Sequence, residues 1–133
     1  MRHKLLFLTL GSIILVAVLN FTAMSYYFYW IFGWFDNVVH FFGGFAIGLL
    51  SIWIYFQSGI FKKITPEKRE TILTSILCVI VVGIGWEIFE NLNGLTQSTE
   101  SYPMDIVHDL ISDFMGALVA GGLAANKKLY SSR

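Results

Sequence analysis

The stretch YPMDIVHDLISDFMGALVAGG, residues 102–122, sets Asp105, Asp109 and Asp113 four residues apart and then runs into small and apolar residues. At about 100° per residue, an i, i+4, i+8 series lies along one face of a helix, so the three carboxylates are aimed at one neighbour. The same face continues as Ala117, Gly121 and Ala125. Pro103, just ahead of the first aspartate, suits the opening turn of a helix. The stretch therefore predicts one helix with an acidic upper half and a close-packing lower half.

Working outward, composition decides the solvent. With 56% hydrophobic and 14% charged residues, the chain is too apolar to be solvated as a small water-soluble domain. Four stretches, residues 5–24, 38–56, 71–91 and 106–125, approach the ~20 apolar residues that cross a ~30 Å hydrocarbon core. The predicted fold is all-α: a polytopic integral membrane protein of four transmembrane helices in a compact bundle, with residues 1–133 as a single transmembrane domain. A formal net charge of zero and the lack of a basic surface exclude nucleic-acid binding. Cys78 is the one cysteine and lies in an apolar run, which excludes an internal disulfide. The first stretch follows Arg2, His3 and Lys4 as a signal peptide would, but no Ala-x-Ala-like site follows, so it is read as a retained span.

The nine basic residues give the orientation. They fall at Arg2 and Lys4, at Lys62, Lys63, Lys68 and Arg69, and at Lys127, Lys128 and Arg133. With four spans these are the two termini and the middle loop, all on one side, which the positive-inside rule makes the cytoplasm. The expected location is the plasma (inner) membrane, multi-pass, with both termini cytoplasmic. The two outer connections, about residues 25–35 and 92–103, hold no Lys or Arg. The first of them is aromatic instead, with Tyr26, Tyr27, Tyr29, Trp30, Trp34 and Phe35. Such rings favour the headgroup interface, either as a belt or as a wall over a site that admits a lipid.

Small residues mark where helices can approach. Gly44 and Gly48 form a GxxxG pair, and Ala117, Gly121 and Ala125 repeat that spacing, flanked by Gly116 and Gly122. These faces could equally support an oligomer. The first span offers only Gly11 and Ser12 and no internal charge, so it is expected to be peripheral.

The second span opens as FDNVVHFFGGFAIG, with Asp36 and His40 one turn apart, and the third closes as GIGWEIFENLNG, with Glu87 and Glu90 at i, i+3. The topology sends the starts of the second and fourth spans and the end of the third to the outer side. Asp36, Glu87, Glu90, Asp105, Asp109 and Asp113 then share one membrane level, with His40 and His108 as the only counter-charges. Unpaired buried carboxylates cost several kcal/mol each, so such a group must be solvated in a cavity, protonated, or bound to a cation. Carboxylates and imidazoles on facing helices are also how bundles hold divalent metals. Asp36 and Asp105 stand at helix N-termini, which favour negative charge, whereas Glu87 and Glu90 stand near a C-terminus, which suits them as proton carriers. Trp86 reads as interface packing.

On these residues the chain resembles the YjdF-like group of small bacterial inner-membrane proteins and, more distantly, the VanZ-like family. The matching pattern is DxxxHFxxGF (Asp36, His40, Phe41, Gly44, Phe45), WExxE (Trp86, Glu87, Glu90) and DxxxDxxxDxxGA (Asp105, Asp109, Asp113, Gly116, Ala117). It covers the last three helices. The VanZ-like similarity implies a link to glycopeptide-antibiotic tolerance, although the second glutamate and the triple-aspartate ladder are additions of this chain. The YjdF-like resemblance implies a membrane family and no particular activity.

Together these features predict an outward-facing intramembrane Asp/Glu/His site of the kind a metal-dependent hydrolase would use on a lipid or lipid-linked substrate. Asp36, His40, Asp105, His108, Asp109 and Asp113 are the ligand candidates for a divalent ion, with Zn, Mn, Mg and Ca not distinguished. Glu87 and Glu90 are the candidate bases. Membrane lipids are the expected partners. The sequence has no Ser–His–Asp pattern and no phosphate-cradling arginine. Two other classes fit the same residues: an ion- or proton-coupled transporter, and an accessory subunit with structural polar packing. The polar face stops below Asp113, which tells against a path across the membrane.

Overall fold

The computed structural model describes residues 4–61, 66–95 and 101–126. Arg2, Lys62, Lys63, Lys127, Lys128 and Arg133, six of the basic residues used for orientation, lie outside the described residues. The helices are α1 (Lys4–Ser25), the short α2 (Phe28–Ile31), α3 (Phe35–Ile52), α4 (Lys68–Asn93) and α5 (Tyr102–Ala124), with no strand among the described residues. Helix α3 continues through a π-helical turn, Trp53–Gln57, so the continuous helical run is Phe35–Gln57. Four of these helices are long and apolar enough to cross a membrane.

The ends of the helices follow local chemistry. Pro66 precedes a capping box at the start of α4, in which Glu67 and Glu70 each satisfy the other's backbone N–H. Gly94 closes the same helix in the left-handed region at φ 63°, and the Leu95 N–H reaches back to the Glu90 carbonyl at 3.0 Å. Helix α5 begins with Ser101 at its N-cap position and Pro103 in its first turn.

Helix α5 is the hub, packed against α3 and α4. Its small residues make this contact close. A Cβ on Gly116 would strike the Phe41 carbonyl oxygen of α3, and one on Gly44 would strike the backbone of Asp113. On the other side, a Cβ on Gly121 would sit 2.8 Å from the Ile72 Cα of α4. The Ser75 hydroxyl, fully buried, donates to the Ala117 carbonyl at 2.8 Å and ties α4 to α5 below the acids. The apolar core occupies this lower half, where Leu5 meets Leu49, Ile52, Phe56, Ala120 and Ala124.

Helix α1 is the outermost span. It leans on α3 and scarcely meets α4, and most of its surface faces outward. Its buried hydroxyls are satisfied locally, Thr9 donating to the Leu5 carbonyl and Ser12 to that of Thr9, each at 2.8 Å.

Candidate functional site

Three helices bring the acids together at the end of the bundle away from the apolar core. Asp36 lies in the first turn of α3 and His40 one turn further in; Asp105, Asp109 and Asp113 descend α5; Glu87 and Glu90 are near the end of α4. The close approach of α3 and α5 at Gly44 and Gly116 sets the level. Only with the backbones in contact can short aspartates on one helix reach an imidazole on the other.

His40 is the centre of the group. Its Nδ1 lies 3.4 Å from Asp113 Oδ1, while its Nε2 lies 3.8 Å from Asp36 Oδ1 and 3.7 Å from Asp109 Oδ2. The two ring nitrogens thus face different carboxylates. The Nδ1 side is a near hydrogen bond, and the Nε2 separations exceed hydrogen-bond length. Donors about 2.0–2.5 Å from a shared ion lie no more than about 4–5 Å apart, so the Nε2 side has the dimensions of a ligand set. One donor atom from each of Asp36, His40 and Asp109 falls within 4.8 Å of the others. Asp113, on the opposite nitrogen, holds the ring as the outer carboxylate of a carboxylate–histidine–metal arrangement does. Its other oxygen lies where a Cβ on Gly83 of α4 would be, at 2.7 Å. A larger residue at 83 would push this carboxylate off the ring.

The remaining predicted residues separate. Asp109 is 2% exposed and Glu87 6% exposed. Glu87 Oε1 is buried with no hydrogen-bond partner among the described residues, and it lies within electrostatic reach of His40, Glu90, Asp105 and Asp113. Glu90 and Trp86, one helical turn apart on α4, both border an open cavity. Asp105 is buried one turn above Asp109, outside the three-residue group. His108 is not brought to the cluster. It lines a separate shallow depression with Gly33, Trp34, Asn37, Ile111 and Ser112, where Ser112 Oγ and Asn37 Oδ1 are 3.3 Å apart.

The cavity beside the cluster has a volume of about 430 Å³. Asp36, His40, Glu90 and Asp113 form its polar end, and Ile47, Val79 and Val82 are among its apolar walls. Helix α1 closes one side with Ile13, Val16, Ala17 and Asn20. The expected peripheral helix is outermost, yet it contributes a wall of the site. Tyr29 is the one ring of the aromatic connection that turns inward: it is 6% exposed, lines the cavity and donates its hydroxyl to Asn20 Oδ1 at 2.7 Å. Burial, and then the carboxylates of Asp36 and Glu90, push the Tyr29 phenol above its usual range and keep it a donor. Tyr26, Tyr27, Trp30 and Trp34 are exposed, as a belt would be. Trp86 does more than pack at the interface, since it lines the cavity.

Asn20, Tyr29 and Gly83 were not singled out as site residues by the sequence. The inward turn of Tyr29 depends on tertiary packing. Asn20, as an amide near the end of an otherwise apolar span, was the one available signal.

A family model described as "Predicted membrane protein (DUF2238)" matches residues 2–128, and the chain belongs to that family. The match accords with the YjdF-like resemblance and extends it across α1. No curated protein and no solved structure matches the chain.

Proposed function

We propose that this protein is a metal-dependent membrane enzyme that hydrolyses a lipid or lipid-linked substrate at a site open to the extracytoplasmic side of the inner membrane. The observation that carries the reading is the construction of the cavity: Asp36 and His40, two members of an acid–histidine group with metal-ligand spacing, line one end, and an apolar wall continues from it. Asp36, His40 and Asp109 are the ligands of the divalent ion. Such an ion supplies an acidified water and a Lewis acid for a substrate oxygen. Asp113 fixes the imidazole through Nδ1, leaving Nε2 to face the ion. Glu90, at the cavity wall, is better placed than Glu87 to take a proton from a water attacking a bound substrate. Glu87 stays behind it as a buried acceptor that raises the negative charge available to the cation.

The orientation rests on the one-sided distribution of the nine basic residues. Reporter fusions at either terminus should report the cytoplasm, and a carboxyl-terminal fusion active only outside it would turn the site inward. Against an ion or proton path stands the lower half of the bundle: beneath Asp113, α5 buries Gly116, Ala117, Ala120, Gly121 and Ala124.

Purified protein in vesicles of bacterial lipid extract, supplied in turn with zinc, manganese, magnesium and calcium, tests the activity. One lipid species should decline and its hydrolysis product appear only with metal. Asp109→Asn should abolish the change, and Glu90→Gln should slow it by roughly 10²–10⁴-fold. A protein that binds metal but alters no lipid keeps its cation site and loses the enzyme reading.

A further inference from the structure

The cavity has a shape and a charge that the hydrolase reading does not specify. Its side walls come from α1 and α4, two helices that scarcely meet, so the space between them is a groove over α3. Ile13 and Ala17 on one lip and Val82 and Trp86 on the other are exposed, so the groove opens sideways between them. In a membrane, that opening faces lipid and not water. On α4 the lining runs from Val79 to Glu90, a rise of about 16 Å, roughly half of the ~30 Å hydrocarbon core. The groove is therefore as long as the chains of one leaflet.

Gly43 keeps it open. A Cβ at Gly43 would meet nothing nearer than Asp113 Oδ1 at 4.0 Å, whereas its neighbour Gly44 is pressed against the Asp113 backbone. One glycine serves the helix seam and the other leaves space in the groove. The polar end carries Asp36, Glu90 and Asp113 with Asn20 and Tyr29 beside them, and among the described residues no Lys or Arg lines the cavity. A single narrow groove with an acid-rich end matches one hydrocarbon chain bearing a positively charged head.

We infer that the groove between α1 and α4 is a lateral entry site for a single-chain amphiphile with an amine head, its chain lying against Ile13, Ala17, Val79 and Val82 and its amine among Asp36, Glu90 and Asp113. The inference rests on the proposed function only in taking the site as lipid-facing; it names the class of substrate. The chain arrives from the leaflet without crossing water, and the amine stops at the carboxylates beside the Asp36–His40–Asp109 group.

The test uses full-length protein in phosphatidylcholine vesicles with chelator present and hexadecylamine carrying a mid-chain diazirine as the probe. The same photoactivatable chain with an alcohol or a phosphate head serves for comparison. Illumination should label peptides spanning residues 13–20 and 79–90 saturably, with the amine outdoing the phosphate head by about five-fold or more, as expected for one favourable charge contact near a membrane surface. Gly43→Phe, which fills the groove from its floor, should remove most of this labelling. Ala17→Phe should do so from the α1 lip, so that misfolding of one variant does not decide the matter. Gly11→Phe, on a position with no neighbour within 4 Å and outside the groove, should leave labelling unchanged. Labelling spread evenly over all lipid-facing helices, or insensitive to both groove variants, overturns the site. An equal or stronger signal from the phosphate or alcohol head overturns the amine. Because chelator is present throughout, specific labelling in a protein that binds no metal would leave the groove standing while the hydrolase reading fails, and metal-dependent lipid hydrolysis without specific labelling would do the reverse.

Discussion

The two halves of α5 face the same two helices and are built on opposite principles. Above Gly116 the contact is made by acidic side chains: Asp36, Asp109 and Asp113 converge on one imidazole, with Asp105 and Glu87 buried at the same end of the bundle. Below it, Gly116, Ala117, Ala120, Gly121 and Ala124 let backbones touch. Membrane helices gain little from apolar burial, because lipid tails are as apolar as leucine, so close backbone approach supplies the packing. The lower half holds the helices at the spacing at which the upper half, unfavourable by itself, has to exist. Rigidity below thus makes an electrostatically strained polar site above affordable.

The sharpest way to break this division is to put bulk into the lower seam. Gly116→Leu would drive a side chain into the Phe41 carbonyl and the Phe45 amide. With backbone on the other side there is nothing that can rotate away, and a loss of about 3 kcal/mol or more is expected. Thermal melting in detergent should show an unfolded or severely destabilised protein, and Gly44→Leu should behave alike. Gly121→Leu and Gly48→Leu meet side chains as well as backbone. They should cost about 1–3 kcal/mol each, because part of the clash can be relieved by side-chain movement. Melting like the parent in all four would mean that the seam does not hold the bundle.

The upper half should respond to metal and not to bulk. A cation that binds the assembled site, and hardly binds separated helices, stabilises by about 2.7 kcal/mol at a hundred times its dissociation constant. Chelator should lower the melting temperature of the parent accordingly. Asp109→Asn and His40→Ala should lose most of that sensitivity. Glu100→Gln, outside the described residues, should keep it. A parent whose melting is unmoved by chelator and by added zinc, manganese, magnesium or calcium would remove the cation from the upper half.

These two halves were not equally legible in the sequence. The four spans follow from hydropathy and length alone, and the alignment of Asp105, Asp109 and Asp113 follows from a helix period that tertiary structure does not alter. His108 shows the limit of counting residues without following faces. The line it belongs to continues through Met115, Val119 and Gly122, all exposed, whereas Asp109 and Asp113 continue into buried Gly116, Ala117 and Ala120. Extending each line by helical steps into the small-residue seam would have separated the histidine from the aspartates. The groove could not be read this way. It exists because α1 leans on α3 and scarcely meets α4, a matter of three-dimensional packing that leaves no period in an almost uniformly apolar span. The inward turn of Tyr29 is similar: among eight aromatic residues in one connection, its burial and its hydrogen bond to Asn20 distinguish it, and neither leaves a mark in the sequence.

That bond gives a smaller test on the α1 side of the upper half. Tyr29→Phe keeps the ring and removes the hydroxyl that reaches Asn20 at 2.7 Å. A loss of about 1 kcal/mol is expected for one part-buried hydrogen bond. Asn20→Leu with Tyr29→Phe should cost little more than either change alone, because the two share one interaction. Additive losses in this double-mutant cycle would mean that the bond does not couple α1 to α2.

The smallest effect should come from the glycine beside the seam. Gly43 and Gly44 are consecutive in α3, yet an added Cβ meets the Asp113 backbone at Gly44 and open space at Gly43, where the nearest atom is 4.0 Å away. Alanine at 43 removes backbone freedom without a clash, so Gly43→Ala should be neutral or raise stability by up to about 1 kcal/mol. Gly44→Ala, one residue on, should be clearly destabilising. The pair isolates the comparison within a single peptide unit, since composition, depth in the membrane and helix propensity are the same at both positions and only the neighbour differs. If the two alanine variants melt together, the seam does not pass through Gly44, and the close approach of α3 to α5 that brings His40 to Asp109 and Asp113 loses its support.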